Sequence, residues 1–162
     1  PTSLGKIMIG DKNGFAPCTA AGVIEILKYA GVEIGGKKVT IVGRSNVVGR
    51  PLALLFIGLD ATVTVCHSRT KDVKEACKNA EILVASCGKA RFINKEYVAN
   101  GAVVIDVGIN LDEEGKLCGD VDTDSIEDIA AACTPVPGGV GAVTTSVLAS
   151  QVLCAYENAL KA

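Results

Sequence analysis

Short apolar blocks alternate with longer amphipathic stretches along this chain of 162 residues. The clearest block is the β-branched run Lys38–Val42, which stops at Gly43 and predicts a strand. Similar runs at 62–65, 81–85 and 102–107 predict three more strands. Strands that alternate with helices across short loops indicate an α/β fold, with a parallel sheet between two layers of helices.

Between these strands, apolar residues at helical spacing predict five helices. Thr19 is placed to cap the first helix, and Thr144 opens the last. The stretch 1–18 is rich in glycine and contains Pro17, so we expect an irregular lead-in and interdomain segment there, followed by one domain over 19–162. The predicted helices span 19–30, 51–59, 73–79, 124–132 and 144–160.

The turn after the first strand has the composition of a phosphate-binding loop, since residues 43–51 read GRSNVVGRP. Gly43 permits a tight turn, and backbone N–H groups at the start of the next helix can face a pyrophosphate. The match to G-x-G-x-x-G is imperfect, because Ser45 replaces the second glycine and Gly49 comes one residue late. A turn whose glycines serve geometry alone is the alternative. We favour nucleotide binding, and with it a Rossmann-type doubly wound sheet in three α/β/α layers.

The end of the second predicted strand favours NADP over NAD. NAD-binding domains place an Asp or Glu there to bind the ribose 2′-OH, whereas residues 66–70 read CHSRT. Arg44, Ser68 and Arg69 supply the donors and positive charge that a 2′-phosphate needs, unless the arginines are solvated surface charges. His67 is a candidate acid or base, but we favour a packing or hydrogen-bonding role for it.

A second loop, residues 134–141, reads TPVPGGVG and lies just before the last predicted helix. Its prolines restrict the backbone, and its glycines leave room for a flat ligand. A plain connector is the alternative. We expect this loop and Thr144 to lie beside the nicotinamide of the cofactor.

Composition narrows the class of protein. Apolar residues make up 49% of the chain and the net charge is −2, so nucleic acid is not expected as a partner. The seven cysteines form no C-x-x-C pair and accompany one histidine, so we expect no metal site. We expect reduced thiols of an intracellular protein that mostly fill the core, with a catalytic Cys as the alternative. No apolar run reaches the roughly 20 residues of a membrane helix. The start at Pro1, without Met or signal peptide, is interpreted as a cut edge.

Several motifs occur together and in order, and the set resembles one enzyme family. They are PCT at 17–19, GRSNVVGRP at 43–51, CHSRT at 66–70, VIDVGIN at 104–110, GDV at 119–121 and TPVPGGVG at 134–141. Over nearly its whole length the chain resembles the C-terminal domain of the bifunctional 5,10-methylenetetrahydrofolate dehydrogenases/5,10-methenyltetrahydrofolate cyclohydrolases. The resemblance implies an NADP-dependent oxidoreductase and hydrolase of cytoplasmic one-carbon metabolism that serves purine biosynthesis and is typically a homodimer.

The resemblance also implies contact residues. Those for the cofactor are Gly43, Arg44, Ser45, Gly49, Ser68, Ile109 and Thr144. Those for the tetrahydrofolate substrate are Pro137, Gly138 and Gly141. One departure falls in this second set, where residues 141–144 read GAVT and the family usually has Gly-Pro-Met-Thr.

The larger departure is an absent domain. The family's catalytic Tyr, Lys, Gln and Asp belong to an N-terminal domain whose motifs do not occur in this chain, so we expect no catalytic residue here. We expect NADP binding without turnover, with the lead-in and the last helix packed on that N-terminal catalytic domain. Three alternatives stay open: a shikimate-dehydrogenase-type cofactor domain, a stand-alone NADP-sensing module and a purely structural domain.

Overall fold

The fold is a parallel sheet with helices on both faces, seen in a computed structural model that describes residues 2–11 and 13–160. The strands are β1 (Lys38–Val42), β2 (Thr62–Cys66), β3 (Ile82–Ala85), β4 (Val103–Asp106), β5 (Asn110–Leu111), β6 (Leu117–Cys118) and β7 (Ala132–Cys133). Five of them form a sheet in the order β2-β1-β3-β4-β7, with every pair parallel, while β5 and β6 form an antiparallel hairpin.

Helices cover both faces of this sheet. They are α1 (Thr2–Met8), α2 (Cys18–Tyr29), α3 (Gly49–Ile57), α4 (Val73–Lys78), α5 (Thr123–Ile126) and α6 (Val140–Leu160). One core cluster joins the sheet to α2, α3 and the start of α6, and a second joins it to α4 and α5. The predicted three-layer, doubly wound Rossmann-type fold in a single domain is therefore confirmed.

The central strands are buried on both faces because successive side chains enter opposite clusters. In β3, Ile82 and Val84 pack in the first cluster, whereas Leu83 and Ala85 pack in the second. All four residues are at most 1% exposed. Continuous apolar runs are therefore the expected sequence pattern for such strands.

The chain order places a topological switch beside β1. From β1 the chain passes through α3 to β2 at one edge, and α4 then returns it to β3 on the other side of β1. Loops leaving the carboxyl ends of β1 and β3 therefore diverge and open a crevice, which is where ligands bind in open α/β sheets.

The lead-in is not irregular throughout, contrary to the sequence prediction. Residues Thr2–Met8 form α1, which packs against α3, and Gly10 follows it at a φ of 74°. Gly5, a residue of low helix propensity, thus lies inside a helix that has no buried residue. Thr19 does not cap α2, because the helix begins at Cys18 and its cap position is Pro17, which makes no side-chain cap hydrogen bond. Pro1 lies outside the described residues.

Three further boundaries differ from the predictions. α3 begins at Gly49, ahead of Pro51, and α6 begins at Val140, so Thr144 lies inside that helix. The helix predicted over 124–132 is only Thr123–Ile126, because the alanine-rich segment after it returns to pair with β4 as β7. The alanines of this segment favour a helix locally, but Ala132 and Cys133 instead form a strand because they pair with the free edge of β4.

Candidate nucleotide-binding site

The turn at 43–49 leaves β1 so tightly that its two glycines leave no space for a side chain. Gly43 has a φ of 136°, and a Cβ there would overlap the carbonyl oxygen of Ser86. A Cβ on Gly49 would overlap the carbonyl oxygen of Gly43. The Gly43 N–H donates to the Cys66 carbonyl at 2.9 Å, which ties the turn to the end of β2. Close backbone approach therefore requires both glycines.

Ser45 organises this turn from within. Its Oγ accepts a hydrogen bond from the Val48 N–H at 3.0 Å. The backbone N–H groups of Arg44, Ser45, Asn46 and Val47 donate to no protein group among the described residues. These free donors precede the N-terminus of α3, where the helix dipole adds positive potential. The turn thus has the polar groups that a pyrophosphate requires, and Ser45 in place of a glycine pre-organises it.

A cleft of about 440 Å³, the first cleft, opens where β1, β2 and β3 end. It brings together the predicted residues Gly43, Arg44, Ser45 and Ser68. Arg69, by contrast, does not line it. Arg44 and Ser68 are both exposed, so their polar groups are accessible to a ligand.

His67 shapes the wall of the first cleft through hydrogen bonds. Its Nδ1 accepts from the Arg69 N–H at 3.1 Å, and its own N–H donates to Thr70 Oγ1 at 2.9 Å. This turn directs Ser68 towards the cleft that His67 and Thr70 also line. The hydrogen-bonding role predicted for His67 is confirmed.

A second cleft, of about 210 Å³, lies between residues 106–109 and 135–142. It unites Ile109, Pro137, Gly138 and Gly141, the residues predicted for the nicotinamide and folate side. Ile109 is 72% exposed, as suits a side chain that packs against a bound ring.

Thr144 does not line either cleft. Its Oγ1 donates to the Gly141 carbonyl at 2.8 Å, and its methyl group lies close to Gly22 of α2. Thr144 therefore stabilises the end of loop 134–141 from behind. Thr134 does the same at the other end, because its Oγ1 accepts from the Asp106 N–H at 2.8 Å.

Two buried carboxylates connect the clefts, and sequence reasoning assigned them no role beyond their motifs. Asp120 accepts from the N–H groups of Cys87, Gly88 and Lys89 and from the Asn110 side chain, at 2.6–2.9 Å. Cys87 and Lys89 line the first cleft, and Asn110 directly follows Ile109, which lines the second cleft. The Asp120 carboxylate is wholly buried, and its hydrogen bonds hold the loop beside the first cleft in a fixed position relative to the second cleft.

Asp106 completes this arrangement at the end of β4. Its carboxylate accepts from the N–H groups of Gly108, Asp120 and Val121 at 2.8–3.0 Å. Burial raises the pKa of the Asp106 carboxyl, which these three donors counteract. The signal for both residues was available in the VIDVGIN and GDV motifs, but only the fold shows that the two acids meet.

The sequence analysis also did not predict the residues that form the remaining wall of the first cleft. Ser86, Cys87, Lys89 and Phe92 follow β3 and line the cleft opposite Ser68. Their position at the carboxyl end of a predicted central strand was the usable signal.

Other classes of site find no support in the part of the chain that the structure describes. No cluster of three His, Cys, Asp or Glu side chains suitable for a metal occurs among residues 2–11 and 13–160. None of the helices described has the length and apolar character needed to span a membrane. All seven cysteines are free thiols, of which Cys66, Cys77 and Cys118 are buried and Cys154 is exposed.

Comparison with known proteins agrees with this geometry. Residues 17–160 match the family described as tetrahydrofolate dehydrogenase/cyclohydrolase, NAD(P)-binding domain. The bifunctional protein FolD of Clostridioides difficile is 51% identical over 160 residues, which cover 98% of this chain and 56% of that protein. FolD of Agathobacter rectalis is 56% identical over 157 residues, covering 97% of this chain and 56% of the relative. The chain thus spans about half the length of these curated relatives.

Solved structures give the same result. The bifunctional FolD enzyme of Campylobacter jejuni superposes with a TM-score of 0.95 at 38% identity, over 98% of this chain and 56% of that one. The methylenetetrahydrofolate dehydrogenase-cyclohydrolase of Trypanosoma brucei, solved with NADP cofactor and an inhibitor, superposes with a TM-score of 0.91 at 40% identity. That match covers 100% of this chain and 58% of the other.

Proposed function

Because the chain belongs to the tetrahydrofolate dehydrogenase/cyclohydrolase family, as its NAD(P)-binding domain, we propose that it is the NADP-binding half of a bifunctional methylenetetrahydrofolate dehydrogenase/cyclohydrolase. The observation that carries this proposal is the turn at 43–49, where the backbone N–H groups of residues 44–47 have no acceptor among the described residues. The first half of this turn, Gly43 to Ser45, lines an open cleft at the switch point of the sheet. Family membership removes the shikimate-dehydrogenase alternative.

The turn at 43–49 binds the pyrophosphate of NADP. The free N–H groups around Ser45 donate to it, and the dipole of α3 adds favourable potential. Gly43 and Gly49 allow this approach because neither carries a Cβ that would displace the turn. The Ser45 hydroxyl, whose oxygen already accepts from Val48, keeps its own proton to donate to a phosphate oxygen.

Arg44 and Ser68 recognise the 2′-phosphate, which distinguishes NADP from NAD. Both line the first cleft, and no acid stands at the end of β2 to bind a free 2′-OH. A guanidinium and a hydroxyl are suitable partners for a phosphate, since hydrogen bonds to charged groups are stronger than neutral ones.

The second cleft receives the nicotinamide and the folate. Bound NADP supplies the hydride acceptor of the dehydrogenase reaction. Ile109 would lie against one side of the nicotinamide and Pro137, Gly138 and Gly141 on the side of tetrahydrofolate, since all four residues line this cleft. Thr144, predicted as a cofactor contact, instead supports this loop through the hydrogen bond from its Oγ1 to the Gly141 carbonyl. Holding donor and acceptor in one orientation is the contribution of this surface to catalysis.

The groups that move protons on the folate belong to a separate N-terminal catalytic domain, and this chain provides none. The surface for that domain is formed by the lead-in and by α6. The Gln151 side chain joins the two by donating to the Ala16 carbonyl at 2.8 Å. Apolar side chains on α6 are left exposed beside this contact, namely Leu148, Val152, Leu153 and Tyr156.

A homodimer in the cytoplasm is the setting that we propose for the complete enzyme, in the one-carbon metabolism that serves purine biosynthesis. The β5–β6 hairpin exposes Leu111 and Leu117, at 67% and 39%, so a second copy of the chain would bury apolar surface there. The free thiols are in keeping with a reducing compartment.

Calorimetric titration of the chain with NADP and with NAD at fixed salt tests the cofactor proposal. We expect binding with a preference for NADP, and no folate oxidation or methenyl hydrolysis by the chain alone. Absence of binding to either nucleotide would overturn the cofactor role. Turnover by the purified chain would overturn the assignment of catalysis to a separate domain. The alternative of a stand-alone sensing module predicts a different result, namely NADP binding with no enzyme activity even after the N-terminal catalytic domain is added.

A further inference from the structure

Lys89 lies in the loop after β3 and lines the first cleft together with Arg44 and Ser68. We propose that the Lys89 ammonium group is an additional contact to the 2′-phosphate of NADP and so determines cofactor preference together with Arg44. This inference rests on the proposed function, because it requires that the first cleft binds the adenosine end of the cofactor.

Two contacts restrain the position of Lys89, one at its backbone and one at its ammonium group. Its backbone N–H donates to Asp120 Oδ1 at 2.9 Å, and that carboxylate is wholly buried. At the other end, Nζ lies 5.1 Å from the centroid of the Phe92 ring, which also lines the cleft. A cation over an aromatic face is attracted by the ring quadrupole, which restricts the side chain to this region. A ligand therefore meets a partly pre-organised ammonium group.

The charge of Lys89 is available to a ligand. Lys28, Lys37 and Lys74 each form an ion pair with a glutamate, whereas Lys89 has no carboxylate partner among residues 2–11 and 13–160. The residues that line the first cleft include Arg44 and Lys89 but no acid. The cleft is thus a local positive region in a chain of net charge −2, and it favours an anion.

The identity of that anion follows from where the cleft ends. Its lining stops at Ser45 and does not include residues 46–49, which lead into α3 and among which Asn46 and Val47 have free N–H groups for the pyrophosphate. The rest of the wall comes from the loops after β2 and β3. Of the phosphates in NADP, the 2′-phosphate is the one at the adenosine end, and NAD lacks it.

The test compares Lys89→Gln with Lys95→Gln, a matched control that removes the same charge from an exposed lysine outside the cleft. Each variant is titrated with NADP, NAD, adenosine 2′,5′-bisphosphate and AMP at fixed salt. We expect Lys89→Gln to weaken NADP and the bisphosphate by about tenfold and to change NAD and AMP by less than about twofold. Lys95→Gln should leave all four affinities near those of the unmodified chain, and Lys89→Arg should restore the preference for NADP.

The outcomes separate this inference from the proposed function. If the unmodified chain binds neither NADP nor NAD, both are overturned. If it binds NADP and Lys89→Gln lowers NAD and NADP affinity equally, or lowers neither, only the role of Lys89 is overturned. A thermal melt of each variant shows whether a loss of affinity reflects unfolding, and Lys89→Arg supplies the decisive measurement if Lys89→Gln does not fold.

Discussion

The carboxylate of Asp106 accepts a hydrogen bond at 3.0 Å from the backbone N–H of Asp120, whose own carboxylate is also buried. Asp106 ends β4, and Asp120 lies beyond the β5–β6 hairpin. Asp120 in turn binds the loop after β3 and the side chain of Asn110. Two adjacent buried acids are costly unless hydrogen-bonded, and here backbone donors satisfy both. The pair therefore sets the relative position of the two clefts.

Replacing Asp120 should destabilise the chain. In Asp120→Asn, an NH₂ group would face backbone N–H donors that now bind a carboxylate, so buried donors would lose their acceptor. We expect the free energy of unfolding to fall by about 3 kcal/mol or more, measured by urea denaturation. Asp128→Asn, on an exposed aspartate, is the control and should change it by less than about 0.5 kcal/mol. Equal stability of the two variants would contradict a structural role for the buried acid pair.

Removing the guanidinium at Arg44 should alter cofactor preference. We expect Arg44→Ala to weaken NADP by about tenfold or more and NAD by less than about threefold, because only NADP carries the 2′-phosphate. Arg69→Ala is the comparison, since Arg69 does not line the first cleft. Calorimetry with both nucleotides measures the two effects. A similar loss for NAD and NADP in Arg44→Ala would assign this arginine to the pyrophosphate or to the fold.

A side chain at Gly49 should prevent the turn from closing. In Gly49→Ala the new Cβ would overlap the Gly43 carbonyl oxygen. We expect loss of binding to both nucleotides and destabilisation of at least about 2 kcal/mol. Gly58→Ala is the control, because Gly58 has a φ of −67° and a Cβ there lies 3.5 Å from the nearest atoms. Its effect on unfolding should stay within about 1 kcal/mol.

Buried thiols should make the chain less stable in alkali. Burial raises the pKa of the Cys77 thiol from 9.0 to about 12 and that of Cys87 to about 11. Above about pH 9 the unfolded chain ionises these thiols while the folded chain keeps them protonated, so ionisation favours unfolding. Their contribution to stability is thus complete below pH 9.0 and is lost as the pH rises towards the folded values.

Urea denaturation at about pH 8 and about pH 10.5 measures this loss. Cys77→Ala should reduce the alkaline decrease in stability, whereas Cys154→Ala, at an exposed thiol, should leave it as it is. If Cys77→Ala shows the same decrease as the unmodified chain, other groups are responsible for it.

The errors in predicting the fold have two causes, which are competition between local preference and tertiary pairing, and elements too short to leave a pattern in the sequence. The run Lys38–Val42 was predicted correctly because apolar β-branched residues and a following glycine agree with the burial that the sheet imposes. The segment 124–132 was predicted as one helix because its alanines favour helix, yet it contributes β7 to the edge of β4. The β5–β6 hairpin, with only two residues in each strand, is too short to produce a periodic pattern.

The sequence by itself determined the alternation of strands and helices, the phosphate-type turn and the absence of an acid after β2, because each is written in adjacent residues. Its motifs also identified the family to which the chain belongs. The tertiary structure alone decided that Lys89 and Arg44 line the same cleft, that Thr144 lines neither cleft and that Asp106 accepts a hydrogen bond from Asp120. These relations join residues far apart in the chain. They depend on strand order and loop path, which no local pattern of side chains specifies.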